Sequence, residues 1–474
     1  MEESATKHQL NPASLGVADI VFFVIAAAAP LGATLGAAPV VFATGGAGAP
    51  GLYLIASVIL LLFAVGFAAM SKYVVSAGGF AELVRCGMGK HAGYAAGGIA
   101  LLAYVSMLAG LYGQFAAFGA DVVKSFLGYS IDWQLVAFFA IVVVGIFGYL
   151  DVNLSAKILG VLMIFEVLIL VIFDIAVMLQ VPYSGINLVG FRLQDIVSPG
   201  MWSALMFAFA CFVGFESTTI YGEEAKNPQK AVPLATYIAI LIIGVFYTMT
   251  TWCLALAYSG KNVQAIASAD MLNFVFAANT KFVGEWSTHL MQFLVVTSVF
   301  AVLLSFHNAL CRYFFALARS EFLPSALRKI HSRHNSPYVA SVFLSCLTAV
   351  IIGLFIFFKA DPTQQLYMWM VALGTLGILV LQALGAFSVV GYFSKNKVAT
   401  IWHGKAAPIL GGIGLSIVVV LAFVNFSDLS GAKEGVATLL PWLVIAAAVV
   451  GIVNGEIRSR KKVQKIVSIV EASK

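Results

Sequence analysis

Glu166, Glu216 and His307 stand inside long apolar stretches of the chain, and these are the side chains best placed to do chemistry. A charge at the centre of a bilayer costs at least ~2.5–3.5 kcal/mol on insertion scales, so an ionisable residue kept there is a functional candidate first. Glu166 lies mid-run in NLSAKILGVLMIFEVLILV (153–171). Protonated, it is a neutral acid suited to low-dielectric surroundings; ionised, it can hold Na⁺ or an ammonium group, and a proton relay is the role assigned to it. Against that stands a permanently protonated acid bonded to a neighbouring helix. Glu216 follows Gly214 in CFVGFESTTIYGEEAKNP (211–228), where it can cap amide groups of a restarted helix and act in gating. His307 titrates near neutrality and can carry a proton, although a lone histidine between helices is more often a plain hydrogen-bond partner. Ser305 offers an oxygen if Na⁺ is the coupling ion, weighed against bonding to its own helix backbone. Asp19 and Asp174, nearer the ends of their stretches, are read as an interface residue and a solvated one.

Two places look built to interrupt a helix. In AAAAPLGATLGAAP (26–39), Pro30 lacks an amide hydrogen and clashes with the preceding turn, and Gly32 and Gly36 tolerate open backbone angles, which predicts a discontinuity near Pro30–Gly32. Val213, Gly214 and Phe215 interrupt a Phe-rich stretch in the same way. In hydrocarbon, freed N–H and C=O groups are tolerated only where protein or a wet cavity satisfies them. Small residues also let helices pack closely and one Pro can merely kink a helix, so either break alone is evenly balanced. Breaks five spans apart in matching positions point to an inverted-repeat transporter with its solute between the half-helices.

The elements that position these residues are membrane spans. The chain has 474 residues, 61% hydrophobic and only 10% charged, a composition no water-facing surface can use. Apolar runs predict an all-α protein of twelve transmembrane helices at 16–44, 49–75, 92–123, 133–150, 154–180, 200–222, 233–259, 286–319, 337–358, 366–393, 406–426 and 436–455. With both ends cytoplasmic, 21 of the 27 Lys and Arg residues fall inside, a positive-inside bias that fixes this orientation. The net charge of +6 is therefore topological and implies no nucleic-acid partner. The run RSRKKVQK (458–465) reads as an orientation anchor that can touch acidic lipid. The polar start, MEESATKHQLNPASLG, lacks the pattern of a cleavable signal peptide.

The division expected is a cytoplasmic tail (1–15), a first repeat of helices 1 to 5 (16–199), a second of helices 6 to 10 (200–395), helices 11 and 12 (396–455) and a basic cytoplasmic tail (456–474). Five scattered cysteines show neither C-x-x-C nor zinc spacing, so no metal site and no cofactor are expected. No nucleophile–base set and no phosphate loop appears, which argues against an enzyme or an ATP-driven pump. A channel predicts a filter and a continuous wet path, and a sensor predicts binding without flux. A secondary active carrier accounts better for both interrupted helices.

FVGFESTTIYGEEAKNPQKAVP (212–233) closely resembles the sixth-helix signature of the amino acid–polyamine–organocation transporters, an F-x-G-[FV]-[ED] core followed by E-x-K-N-P-x-x-x-[IVM]-P. SAGGFAELVRCGMG (76–89) resembles the family's loop after helix 2, NLSAKILGVLMIFEVLILV its fifth helix, and HNALCRYFFALARSEFLPSALRKIHSRHNSPYVA (307–340) the end of its eighth. The resemblance covers roughly residues 10–455. It implies a LeuT-type five-plus-five inverted repeat with helices 11 and 12 appended, discontinuous helices 1 and 6, and alternating access in the cytoplasmic membrane.

By position, it further implies that Leu31, Gly32 and Ala33, beside Pro30, hold a substrate carboxylate on their amides. The substrate amine would meet carbonyls near Ala27, Ala210 and Val213. Tyr104, Phe212 and Phe215, with the neighbourhood of Gly214, Phe300 and Gly374, would receive the side chain. The implied substrate is an amino acid, or an amine as the alternative, with a proton as the coupling ion and Na⁺ as the other possibility. Two departures stand out. The family's first helix is commonly G-x-G-x-G-[IV]-F, whereas this chain reads A-P-L-G-A-T, nearer its polyamine and amine branches. Many proton-coupled members carry a lysine where this chain carries Glu166, so the charge is reversed and a lysine mechanism does not transfer.

Overall fold

The computed structural model describes residues 15–74, 78–150, 156–182, 185–216, 218, 225–259, 262–331, 334, 336–396, 398–427 and 435–472. Regular structure among them is helical, apart from one isolated parallel bridge between Leu15 and Ala225. The helices are α1 (Val17–Ala28), α2 (Pro30–Gly45), α3 (Ala49–Ser71), α4 (Gly79–Met88), α5 (Lys90–Leu127), α6 (Trp133–Leu150), α7 (Ala156–Gln180), α8 (Leu193–Ile196) and α9 (Met201–Ala210). They continue as α10 (Pro228–Ala257), α11 (Val263–Ala269), α12 (Phe274–Phe282), α13 (Glu285–Arg319), α14 (Tyr338–Phe357), α15 (Met368–Lys395), α16 (Ala407–Val424) and α17 (Trp442–Ala472).

Ten helical runs among the described residues are long and apolar enough to cross a membrane, two fewer than the sequence predicts. The difference has two sources. Pro30–Ser71 forms one run of 42 residues, because the turn at Gly46–Gly48 keeps near-helical spacing between the first two predicted spans. At ~1.5 Å per residue such a run is about twice the ~30 Å hydrocarbon thickness, so as membrane structure it must be two spans joined at Gly46. The other source is α9, which at 10 residues is too short to cross alone and stops where the second break was predicted. Elsewhere the predicted limits hold to within a few residues, and 133–150 matches α6 end to end. The last helix runs past 455 to Ala472, without a change of element at the predicted tail.

The interior is built around α5, which packs against α15, α17, α4 and α13 and buries most of its length. Large apolar side chains on the outer helices point outward, with Phe138 and Phe139 of α6 67% and 66% exposed and Phe357 of α14 78% exposed. A belt of this kind is stable only against lipid. The amphipathic α4 is different. The Arg85 guanidinium donates to Glu82 at 2.7 Å and holds that carboxyl below its ordinary range.

Candidate functional site

The first interruption falls at Ala29, between α1 and α2. Ala29 has φ 44° and ψ 75°, a left-handed conformation that costs a non-glycine residue ~1–2 kcal/mol, and Pro30 occupies the first turn of α2. A residue before proline is already pushed out of the right-handed helical region, so sequence and geometry agree within a residue of the prediction. The break frees the Ala28 carbonyl and the first amides of α2, and side chains of four other helices converge on this stretch. Ala28 O accepts from the Tyr247 hydroxyl of α10 at 3.1 Å, and Gly32 O accepts from Gln114 Nε2 of α5 at 2.6 Å. The Glu166 carboxylate of α7 reaches this stretch through Ser298 of α13. The Gly32 amide faces Ser298 Oγ of α13 at 3.4 Å, and that hydroxyl donates to Glu166 Oε2 at 2.6 Å. One turn on, a Cβ at Gly36 would overlap Gln114 Nε2 and lie 2.7 Å from the Tyr367 hydroxyl, so glycine is what lets Gln114 approach the chain.

The second interruption begins where α9 ends. Residues 211–215 continue in tightened turns, with Cys211, Phe212 and Val213 amides bonding carbonyls three residues back at 3.0–3.3 Å. Gly214 adopts φ 114°, which an L side chain rarely adopts. Its amide donates to Glu216 Oε2 at 2.9 Å, and the other carboxylate oxygen accepts from the Tyr104 hydroxyl at 3.0 Å. Glu216 is buried at 6% exposure, so the carboxylate turns inward to its own break. Residues 217 and 219–224 of the signature lie outside the described residues, and its last part runs from Lys226 into the start of α10.

Both interruptions border one cavity of about 50 Å³. Ala28, Gly32 and Ala33 line it from the first break, and Ala210, Cys211 and Val213 from the second. The remaining wall is mostly apolar, from Met107 and Leu111 of α5 to Val299, Val302 and Phe306 of α13, with Gln114 and Tyr367 as its polar side chains.

The structure thus gathers Gly32, Ala33, Ala210 and Val213 at the cavity, with Pro30 and Leu31 buried directly behind it. Ala27 lies in α1, and its side chain falls outside the described set. Tyr104 and Gly214 are one step removed, joined through Glu216. Phe212 and Phe215 are fully buried and face elsewhere. Phe212 meets the Tyr247 ring at 6.3 Å, and Phe215 meets Phe63 and Phe67 edge-on at 6.1 and 6.2 Å. Phe300 packs on Phe115 and Phe147, and Gly374 is buried in α15.

Glu166 reaches the first break, but the serine beside it is Ser298, two helical turns before Ser305 on the same helix. His307 is buried, bonds Ser341 Oγ at 2.9 Å and crowds Gly148, away from the cavity. Asp174, expected to be solvated, is instead 6% exposed and accepts from Thr250 Oγ1 at 2.8 Å. It lies far enough inside α7 for α10 to cover it. Sequence reasoning passed over Gln114, Tyr247 and Ser298. The available signal was their polarity within membrane-crossing runs, strongest for Gln114.

A helical, multi-pass membrane protein with two interrupted helices around a shared cavity is the class this geometry defines. The family model "Amino acid permease" matches residues 19–465, and the chain belongs to that transporter family. It is 21% identical over 319 residues to the branched-chain amino acid permease BcaP of Bacillus subtilis (strain 168), covering 67% of this chain and 63% of that one. It is 23% identical over 331 residues to the glutamate/serine transporter AimA of the same organism, covering 64% and 59%. A methylthioribose transporter, again from B. subtilis, is 27% identical over 233 residues, covering 47% and 44%. The chain therefore spans less than two thirds of the length of these curated relatives.

Proposed function

We propose that this chain is a proton-coupled secondary active carrier that imports a small amino acid or its amine across the cytoplasmic membrane by alternating access. The observation that carries this reading is one cavity bordered by both helix breaks, by Ala28, Ala29, Gly32 and Ala33 on one side and by Ala210, Cys211 and Val213 on the other. A solute there meets backbone groups on elements that can move against each other, which is the economy of inverted-repeat carriers. The reading includes a five-plus-five repeat (16–199 and 200–395), two appended helices and cytoplasmic ends.

With that orientation, the path inward from the cavity runs past Tyr104. Its hydroxyl holds Glu216, and its ring stands 6.2 Å from Tyr313. The Leu15–Ala225 bridge ties the approach to α1 to the residues before α10 on the same side. These contacts support a state closed to the cytoplasm, with Glu216 as a gate residue. Glu166 is the coupling acid in this reading, since it joins the first break through Ser298. The relatives named above carry branched-chain amino acids, glutamate or serine, and methylthioribose, so family membership leaves the solute open.

Reconstitution in liposomes with labelled amino acids and amines, under an imposed pH or Na⁺ gradient, tests the proposal. Saturable accumulation driven by the pH gradient and counterflow of preloaded solute are expected, with Glu166→Gln abolishing the gradient-driven part. Conductance without counterflow, or binding without flux, would replace the carrier with a channel or a sensor.

A further inference from the structure

We propose that Arg312 of α13 takes the solute's carboxylate at a second station on the inner side of the cavity, with Ser305 and Asn308 leading to it. The proposal rests on the carrier reading above and adds a step to its path. Positions 298, 301, 305, 308 and 312 alternate spacings of three and four, so they share one face of α13. That face begins at the first break, where Ser298 meets both the Gly32 amide and Glu166. It ends at Arg312, ~21 Å further along the helix, which is inward in the orientation proposed above.

The polar groups of this face are unused. Ser305, Asn308 and Arg312 are each partly buried, and among the described residues none of the three has a hydrogen bond or an ion pair. Hydroxyls elsewhere in these helices close on their own backbone, as Ser57 does on Tyr53 O at 2.8 Å and Thr348 on Leu344 O at 2.8 Å. Three other helical arginines are engaged, Arg85 on Glu82, Arg458 on the Leu323 carbonyl and Arg319 over the Phe315 ring. A guanidinium in a membrane-crossing run marks a place where an anion pairs, and its planar fork matches a carboxylate two bonds at a time. The protein supplies no such partner here, so the anion that fits is the solute's. Phe306, which lines the cavity, stands between Ser305 and Asn308 in sequence. A solute leaving inward therefore passes from an apolar wall onto this face, and Arg312 is the next group that can hold its carboxylate.

The test reads charge and occupancy at the face directly. Ala309→Cys places a thiol three residues before Arg312, in the full chain with Cys86 and Cys346 replaced by serine. Modification by a sulfonated methanethiosulfonate is expected roughly tenfold faster than by the trimethylammonium reagent, each relative to free cysteine, because Arg312 attracts one and repels the other. Isovalerate, a carboxylate without an amine, is expected to slow labelling, and isoamylamine to leave it unchanged. Arg312→Gln should remove both the charge preference and the protection. Arg312→Lys should keep the preference and lose most of the protection, since an ammonium lacks the fork. In liposomes, with leucine, serine and glutamate as probes, Arg312→Gln is expected to lower maximal counterflow roughly tenfold, the worth of a charge-assisted bond. Thermal stabilisation by the same probe, which reads the cavity, should be kept.

A thiol that never reacts, a charge preference that survives Arg312→Gln, or equal protection by isovalerate and isoamylamine overturns the second station and leaves the carrier standing. So does full counterflow in Arg312→Gln. Absence of flux for every probe in the wild type overturns the carrier reading, and with it the station's place on a path.

Discussion

The break at Ala29 and the break at residues 211–215 both free backbone groups, yet the two are stabilised from different places. At the second, Glu216 returns two residues to Gly214 and also accepts from the Tyr104 hydroxyl of α5. At the first, Tyr247, Gln114, Glu166 and Ser298 converge from α10, α5, α7 and α13. A break held locally keeps its shape when neighbouring helices shift. A break held by four helices changes its bonding whenever any of them moves, so the first is where solute, proton and helix position can be coupled.

This contrast breaks most visibly at Glu216. Glu216→Ala removes the acceptor of both the Gly214 amide and the Tyr104 hydroxyl, and each buried group that loses its partner costs ~1–3 kcal/mol. The expected result is the largest fall in thermal midpoint of the set and loss of counterflow. Tyr104→Phe should be clearly milder, because the local bond to Gly214 survives. Equal damage from the two would mean that the second break also depends on a remote helix.

Gln114→Leu comes next. It strips the 2.6 Å bond from Gly32 O, and interhelical bonds of this type are worth ~0.6–1.7 kcal/mol in membrane proteins. A lowered thermal midpoint and weaker solute affinity are expected, with counterflow retained. Pairing it with Ser298→Ala sharpens the comparison, since one acts on the carbonyl and the other on the amide of Gly32. Their effects on stability should be non-additive by at least ~0.5 kcal/mol, while Gln114→Leu with Tyr104→Phe should add. Additivity in the first pair would show that the helix-1 partners do not act as a unit.

What could be read in advance follows the same division. Pro30, Gly214 and Glu216 act on their own neighbours, so their consequences are written within a few residues, and both breaks were legible from them. Span limits were legible because hydrocarbon thickness imposes a length on apolar runs. The partners of the first break were not. Gln114 and Gly32 are 82 positions apart, and Ser298 and Glu166 132 apart, and pairing them requires the packing of helices that no local pattern specifies. Ser298 was passed over for the same reason, since it shares a helix with Ser305 and only the depth of that helix beside α7 decides which of the two reaches Glu166. Asp174 was misjudged by its distance from the helix end, where cover by α10 and Thr250 was decisive.

The smallest effect is expected at Tyr247. Its hydroxyl donates to Ala28 O at 3.1 Å, while its ring packs against Tyr53 at 5.7 Å and Phe212 at 6.3 Å. Tyr247→Phe keeps the ring contacts and removes one neutral hydrogen bond of ordinary length, worth ~0.5–1.5 kcal/mol. Ala28 lines the cavity, so the freed carbonyl can turn to a solute ammonium. Stability should therefore fall slightly while solute affinity holds or rises, a split read by thermal unfolding with and without leucine. If the ligand-bound protein loses as much stability as the free one, the Ala28 carbonyl takes no part in binding. The first break would then be coupled to solute through the other residues it gives the cavity, Ala29, Gly32 and Ala33.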